Sequence, residues 1–380
     1  MENKLIVIKI GTTSLTKSDG SISPDKIAEL VRQVSELKNL GHRVVVVTSG
    51  AIAAGFRRLG YQERPVAISA KQAAAAVGQG LLIEEYSKQF LGHGFVCGQL
   101  LLNRTDFADK RRYQNVFNTL STLLKRGAVP IINENDTVSI EELKFGDNDT
   151  LSAHVAALVH ADLLILLTDV DGLYTADPQK DSGATRIDVV DHIGDDIDDM
   201  ALGSSSKTGT GGMKSKINAA RLATASGVPV FVCSSGEKDV LIKAVAGGAE
   251  GTSFNAQSRV MNTREQWLAF HSDVSGSLII DDGAVKALKE RHTSLLPSGI
   301  VDVKGDFWAG DVVDVVDKDF KFVGRGMVEY NAKELEQIKG MSSRGIRDII
   351  SDGRSEAINR DNWIGSETGR ALTKGDNHNV

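Results

Sequence analysis

The run Leu5-Ile-Val-Ile-Lys-Ile10-Gly11-Thr12, taken with Arg43-Val-Val-Val-Val-Thr48-Ser49-Gly50, decides the fold. Both runs are almost wholly apolar and both stop at a glycine. Each therefore reads as a strand buried on two faces that delivers its last residues into a loop. Between them, Ser23-Pro24 supplies an N-cap and a first-turn proline, while Ile27, Leu30, Val31, Val34 and Leu37 fall at helical spacing before a closing Gly41. The order strand, helix, buried strand predicts a parallel sheet covered by helices on both faces.

The alternation continues outward. It predicts a helix over Ala70–Phe90, a strand over Phe95–Leu101, a helix over Arg112–Lys125 and a strand over Ala128–Ile132 running into Asn133-Glu-Asn-Asp136. A hairpin-like stretch near Thr137–Phe145, a helix from about Thr150, the strand Leu163–Leu167 and the loop Thr168–Pro178 follow. A Gly/Ser run, Gly203–Gly212, then leads into a helix, Ile217–Ala225, and the strand Val228–Cys233. From Gly276 the pattern changes to short β-rich runs, Leu278–Ile280, Gly299–Val303 and Val312–Val316. The reading is an α/β domain of three layers with a mainly parallel sheet over residues 1–255, a linker over 256–275, a small β-rich domain over 276–358 and a tail over 359–380, mobile from about Gly365.

Composition agrees with two domains: 380 residues are too many for one small module, and 41% hydrophobic with 25% charged residues excludes a disordered or fibrous chain. Thirty-eight Gly against six Pro marks a backbone that makes tight turns and close approaches, as polyanion-binding loops do. A net charge of −6 argues against a protein held to nucleic acid mainly by charge. Cys97 and Cys233 each lie inside an apolar run and read as reduced core residues, and no apolar stretch approaches the ~20 residues of a membrane helix. A cytoplasmic location is the expectation.

No Gly-Lys dipeptide occurs, so there is no Walker A loop, and G-x-G-x-x-G, H-E-x-x-H and C-x-x-C are absent too. What remains is a set of strand ends, where ligands of open α/β sheets gather. A lysine in an apolar strand, Lys9, costs desolvation unless it meets an anion, and Gly11 and Thr12 follow it. The alternative is a lysine snorkelling from a sheet edge. Ser49-Gly50-Ala51 places helix-start donors before an anionic group, though ordinary capping reads the same. Asn133–Asp136 with Gly146–Thr150 suits a zwitterion, a carboxylate for its ammonium and amides for its carboxylate, against a reading as solvated turns. Thr168-Asp169 suits a nucleotide edge or ribose. Thr208-Gly-Thr-Gly-Gly-Met-Lys214-Ser-Lys216 opens a helix and makes an anion cradle with mobile positive charge, against a reading as a linker.

These residues make the chain resemble the amino acid kinase family, in particular its glutamate-phosphorylating members with a C-terminal PUA domain. The matching motifs are Val7-Ile-Lys9-Ile-Gly11-Thr12, Val46-Val-Thr-Ser49-Gly50-Ala-Ile-Ala-Ala-Gly55, Pro130-Ile-Ile-Asn133-Glu-Asn-Asp136, Phe145-Gly-Asp-Asn148-Asp149, Leu167-Thr168-Asp169 with Gly172–Pro178, and Gly209-Thr-Gly-Gly-Met213 with Lys216. In the second domain they are Asp281-Asp-Gly-Ala284, Ser294-Leu-Leu-Pro297 and Gly299-Ile300. The resemblance implies ATP-dependent phosphorylation of the γ-carboxylate of L-glutamate, the first step of proline synthesis, with feedback inhibition by proline and a homo-oligomer, dimer or tetramer. Carried over by motif, Lys9 and Lys216 stabilise the transferring phosphoryl group and Asp149 holds the lysines, while Gly11 and Gly50 lend backbone donors. Ser49, Gly50, Asn133, Asp136 and Asn148 bind glutamate. Lys9, Gly11, Thr168, Asp169, Thr210, Gly211, Gly212, Met213, Lys214, Ser215 and Lys216 line the ATP site, and which of Lys214 and Lys216 takes the catalytic part stays open. Mg²⁺ is expected with the nucleotide, held mainly by phosphate oxygens and not by a dedicated protein site.

Two alternatives stand beside this reading. One is another family activity, on acetylglutamate, aspartate or a nucleoside monophosphate. The other is RNA binding by the PUA-like domain, which the 12 Lys and Arg against 14 Asp and Glu over Gly276–Arg354 do not favour.

Overall fold

The computed structural model describes residues 2–138, 147–200 apart from 179, 195 and 199, 212–256, 263–350 apart from 292, 343, 344, 347 and 348, and 354–366. The chain divides into two compact units: Met1–Asp106 with Arg111–Val260, and Met261–Val380 with the short segment Phe107–Lys110.

In the first unit, β1 (Leu5–Ile10), α1 (Pro24–Asn39), β2 (Arg43–Val47), α2 (Ala51–Gly55), α3 (Ile68–Gly92), β3 (Cys97–Leu102), α4 (Arg104–Ala108), α5 (Lys110–Lys125) and β4 (Val129–Glu134) follow one another. Then come α6 (Asn148–Leu158), β5 (Leu163–Thr168), the short β6 (Leu173–Tyr174), β7 (Arg186–Ile187) and β8 (Val189–Val190), α7 (Met213–Ala225), β9 (Val230–Ser234), α8 (Val240–Ala246) and β10 (Thr252–Phe254). The main sheet has the order β3-β4-β2-β1-β5-β9-β10-β8. It is parallel from β3 to β9, and β10 turns antiparallel to β9. The expected mainly parallel sheet is therefore present. The α1 start also forms as read, with Ser23 accepting from the Lys26 N–H and Pro24 in the first turn. Pro130 is tolerated inside β4 because the neighbouring Val129 N–H points to β3, which turns the proline nitrogen toward β2, and pairing with β2 begins only at Ile131.

Side-chain alternation sorts the β1 residues into two layers. Ile6, Ile8 and Ile10 pack with Ile27, Leu30, Val31, Val34 and Leu37 of α1, with Leu82, Tyr86 and Phe90 of α3 and with Val240 and Leu241 of α8. The opposite face of β1 meets α6, which packs in turn on α7. Lys9 falls in this second layer. On the first face, α2 and α3 cross backbone to backbone: a Cβ on Gly78 would stand 1.8 Å from the Ala51 carbonyl oxygen, and one on Gly55 would stand 2.0 Å from that of Ala74. This crossing is one of the close backbone approaches that the glycine content allows.

The second unit has a five-stranded sheet of order β12-β11-β13-β14-β15, from β11 (Val274–Ile280), β12 (Ile300–Gly305), β13 (Val312–Val316), β14 (Phe322–Val328) and β15 (Ile358–Gly365). Its own core gathers Leu278, Ile280, Leu295, Val313, Val315, Val323, Leu335 and Ile338. Two expected boundaries move. Residues expected to form a linker over 256–275 include the helical segments Thr263–Gln266 and Trp267–His271, whose Trp267, Leu268 and Ala269 are buried, so these two segments are structure of the second unit. The tail expected from residue 359 begins instead as β15, which pairs antiparallel with β14 and buries Ile358 and Ile364, and the domain therefore reaches Gly365. Residues 367–380 and most of the hairpin-like stretch lie outside the described residues.

No described helix is long and apolar enough to cross a membrane.

Candidate active site

Strand register brings the sequence motifs to one edge of the sheet. Lys9 lies opposite Val47 of β2 and Leu166 of β5, Val47 lies opposite Ile132 of β4, and Thr168 ends β5. The carboxyl ends of β1, β2, β4 and β5 thus share a rim. Connections lead from β1 to β2 on one side, whereas β5 adds on the other, which makes β1 the switch point where open parallel sheets form ligand crevices.

One half of the rim is charged. The Lys9 ammonium lies 2.5 Å from Asp149 Oδ1, and the Lys216 ammonium lies 3.3 Å from Asp149 Oδ2. All three side chains are buried, Asp149 completely. The Ser215 hydroxyl donates to Asp149 Oδ2 at 2.8 Å and stands 2.9 Å from the Gly212 carbonyl, tying the entry of α7 to the first turn of α6. Burial by itself raises the Asp149 carboxyl, but the charges of Lys9 and Lys216, with hydrogen bonds from Lys9 and Ser215, outweigh it and hold the group below the usual carboxylate range. Two ammonium groups gathered on one buried carboxylate make a site that favours an incoming anion. Asp147 caps α6 by accepting from the Thr150 N–H at 2.7 Å, and burial followed by the Asp149 charge pushes its carboxyl up.

The other half is made of amides. Asn148 Nδ2 reaches Ser49 Oγ at 2.8 Å, the Thr48 carbonyl at 3.0 Å and Asn133 Oδ1 at 3.1 Å. Asn133 in turn accepts from the Glu134 N–H and donates to Gln79 Oε1, both at 2.9 Å. Behind Ser49, the Thr48 hydroxyl meets the Tyr86 hydroxyl at 2.9 Å, inside the core. Gly50 adopts φ +99°, a left-handed conformation natural only to glycine, and so turns the chain sharply from β2 into α2.

The sequence-derived candidates separate as follows. Lys9, Asp149, Lys216, Ser215 and Gly212 meet in the charged half, and Ser49, Asn133 and Asn148 meet in the amide half. Lys216 is buried on Asp149 whereas Lys214 is exposed, which separates the two lysines. Thr168 donates to Asp169 Oδ1 at 3.0 Å at the end of β5, and Asp136 is half-buried beyond β4. One expectation changes: the Gly11 N–H donates to the Leu167 carbonyl at 3.2 Å, so it is not a free donor for phosphate. What Gly11 contributes is space, since a Cβ there would stand 3.7 Å from the Lys9 ammonium. Met213 starts α7, while Thr210, Gly211 and Gly146 lie outside the described residues. Gln79, Thr48 and Tyr86 were not among the candidates. Ala75, Gln79, Leu82, Tyr86 and Phe90 form one buried stripe of α3, and a glutamine within such a stripe is the signal that would have found the first.

Comparison with known proteins covers both units. The model of the amino acid kinase family matches residues 4–234, and that of the PUA domain matches residues 276–350. Over 365 residues the chain is 51% identical to Glutamate 5-kinase of Neisseria meningitidis serogroup C, with 96% of both chains covered. It is 49% identical over 367 residues to Glutamate 5-kinase of Streptococcus suis, covering 96% of this chain and 99% of that one. Among solved structures, carbamate kinase from Giardia lamblia bound to AMP-PNP overlays 67% of this chain with a TM-score of 0.49 at 16% identity.

Proposed function

Because this chain belongs to the amino acid kinase family and matches glutamate 5-kinases over nearly its whole length, we propose that it transfers the γ-phosphoryl group of ATP to the γ-carboxylate of L-glutamate, the first step of proline synthesis. One observation carries the chemistry: a fully buried carboxylate, Asp149, holds two buried lysines that arrive from different elements, Lys9 from β1 and Lys216 from α7.

The substrate carboxylate is ionised at neutral pH, so its oxygen attacks phosphorus without a general base. A new carboxylate O–P bond forms as the bond between phosphorus and the oxygen bridging to the β-phosphate breaks, leaving L-glutamyl 5-phosphate and ADP. The obstacle is repulsion between two anions and the charge that spreads over the equatorial oxygens. Lys9 and Lys216 oppose both, and Asp149 keeps them placed before the reaction, so little reorganisation is needed during it. Ser49, Asn148, Asn133 and Asp136 hold glutamate beside the strand ends. Gly212 to Lys216 at the start of α7, with Thr168 and Asp169, face the nucleotide, and Thr210 and Gly211 are assigned to the same ligand by motif alone. Mg²⁺ accompanies the nucleotide in this reading. Both Asp149 oxygens are engaged by lysines, and the ion would be held mainly by phosphate oxygens of the nucleotide.

Inhibition by proline at or overlapping the glutamate site, and a homo-oligomer, complete the proposal. Trapping the acyl phosphate with hydroxylamine, offering glutamate, acetylglutamate and aspartate in turn, tests it. Hydroxamate is expected from glutamate, and formation from acetylglutamate alone would overturn the assignment. A proline titration at several glutamate concentrations is expected to show competition.

A further inference from the structure

Hydrogen-bond polarity in the amide half is determined by groups that can act in one sense only. The Thr48 carbonyl can only accept, so the Asn148 atom 3.0 Å from it is the nitrogen. The Glu134 N–H can only donate, so the Asn133 atom 2.9 Å from it is the oxygen. Asn133 Oδ1 then shares with Ser49 Oγ the second of the two Asn148 Nδ2 hydrogens, which leaves Asn133 Nδ2 to donate to Gln79, whose facing atom must be Oε1. The end result is that Asn148 Oδ1 is a buried acceptor with no hydrogen-bond partner among the described residues. A buried acceptor left unmatched costs free energy that a ligand's donor recovers.

We infer that Gln79 is a positioning residue for substrate specificity: through Asn133 it fixes the Asn148 amide so that its oxygen is kept for the α-ammonium of the amino acid substrate. The sequence reading had given the amides to the substrate's carboxylate, and the polarity reverses that assignment for Asn148. Gln79 is itself nearly buried, on the stripe of α3 that faces the core, and its hydrogen bond into the site among the described residues is the one from Asn133. This inference rests on the proposed glutamate kinase activity.

The test compares Gln79→Met, which has no acceptor at this position, with Gln79→Glu, which keeps one, using glutamate and glutarate, the same diacid without the amino group. For Gln79→Met the KM for glutamate is expected to rise about tenfold to a hundredfold with the KM for ATP unchanged, the span that a charge-assisted hydrogen bond covers. The preference for glutamate over glutarate should shrink by the same factor. Gln79→Glu should restore both to within about threefold, which a merely structural role for this position would not produce. Should Gln79→Met fail to fold, Gln79→Leu is read in its place. An unchanged glutamate KM, or equal impairment by both variants with the glutarate preference intact, overturns the inference while leaving the kinase reading standing. A wild-type protein that does not phosphorylate glutamate removes both.

Discussion

The two halves of the rim sit on neighbouring strand ends and are built oppositely. In the charged half, Lys9, Asp149 and Lys216 keep formal charges in the interior, and their desolvation costs free energy that ion pairing only partly offsets. In the amide half, Ser49, Asn133, Asn148 and Gln79 carry no formal charge, and nearly every group is matched by a partner on the protein. In the proposed function, transition-state charge would be met by charge and the identity of the substrate by hydrogen-bond polarity. The contrast implies that damage to the first half should appear in kcat and damage to the second in KM.

Lys9→Ala gives the largest expected effect: kcat for glutamyl phosphate formation should fall about 10²- to 10⁴-fold with the glutamate KM little altered, measured by hydroxamate formation. An unimpaired kcat would erase the division of labour. Asp149→Ala leaves two buried lysines without their counter-ion, and urea unfolding should show a loss of about 3–5 kcal/mol along with inactivation. Acid should produce a related loss in the wild type. The folded Asp149 pKa lies below its ordinary 3.8, so its contribution to stability is fully present above that value and disappears as pH falls through the lower, folded value. In the amide half, Asn148→Ala should raise the glutamate KM about tenfold to a hundredfold while changing kcat much less. Gly78→Ala pushes a methyl group against the Ala51 carbonyl and should cost about 1–3 kcal/mol in thermal unfolding, with KM rising as α2 is displaced. The effect that is smallest near neutral pH concerns His154, buried in α6, whose pKa is lowered to about 3 by burial and then by the Arg104 charge. It folds neutral, so stability should decline gradually as pH drops from its ordinary 6.5 toward 3, and His154→Gln should flatten that slope.

Much of the first domain could be read from the chain because its strands are continuous apolar runs that end at Gly, Ser or Asn, a pattern that only a doubly covered parallel sheet explains. The charged half was legible in part: Lys9 is a cation inside such a run and either meets an anion or snorkels from an edge, while Asp149 and Lys216 were reached only through the motifs and meet it in the fold. The amide relay was not. Gln79 lies in an Ala-rich helix far from Asn133 in sequence, and the polarity of each amide is set by backbone groups whose positions only the fold supplies. Gly11 misled for a similar reason, because whether its N–H is free depends on the register between β1 and β5. The ends of the second domain were misplaced because polarity was taken for mobility. Within β15, Asn359, Arg360 and Asp361 are polar, yet the strand still buries Ile358 and Ile364 against its neighbours.

Alternation along β1 has one more consequence. Even positions belong to the aliphatic layer and Lys9 belongs to the other, so the strand behaves like a reading frame with two settings. Deleting one residue between Ile6 and Ile8 would leave an equally apolar strand, able to pair with β2 and β5, but would turn the lysine toward Leu82 and Tyr86 and an isoleucine toward Asp149. Length, and not only composition, is therefore under constraint in this segment: single-residue insertions or deletions should abolish activity where conservative substitutions of the isoleucines do not.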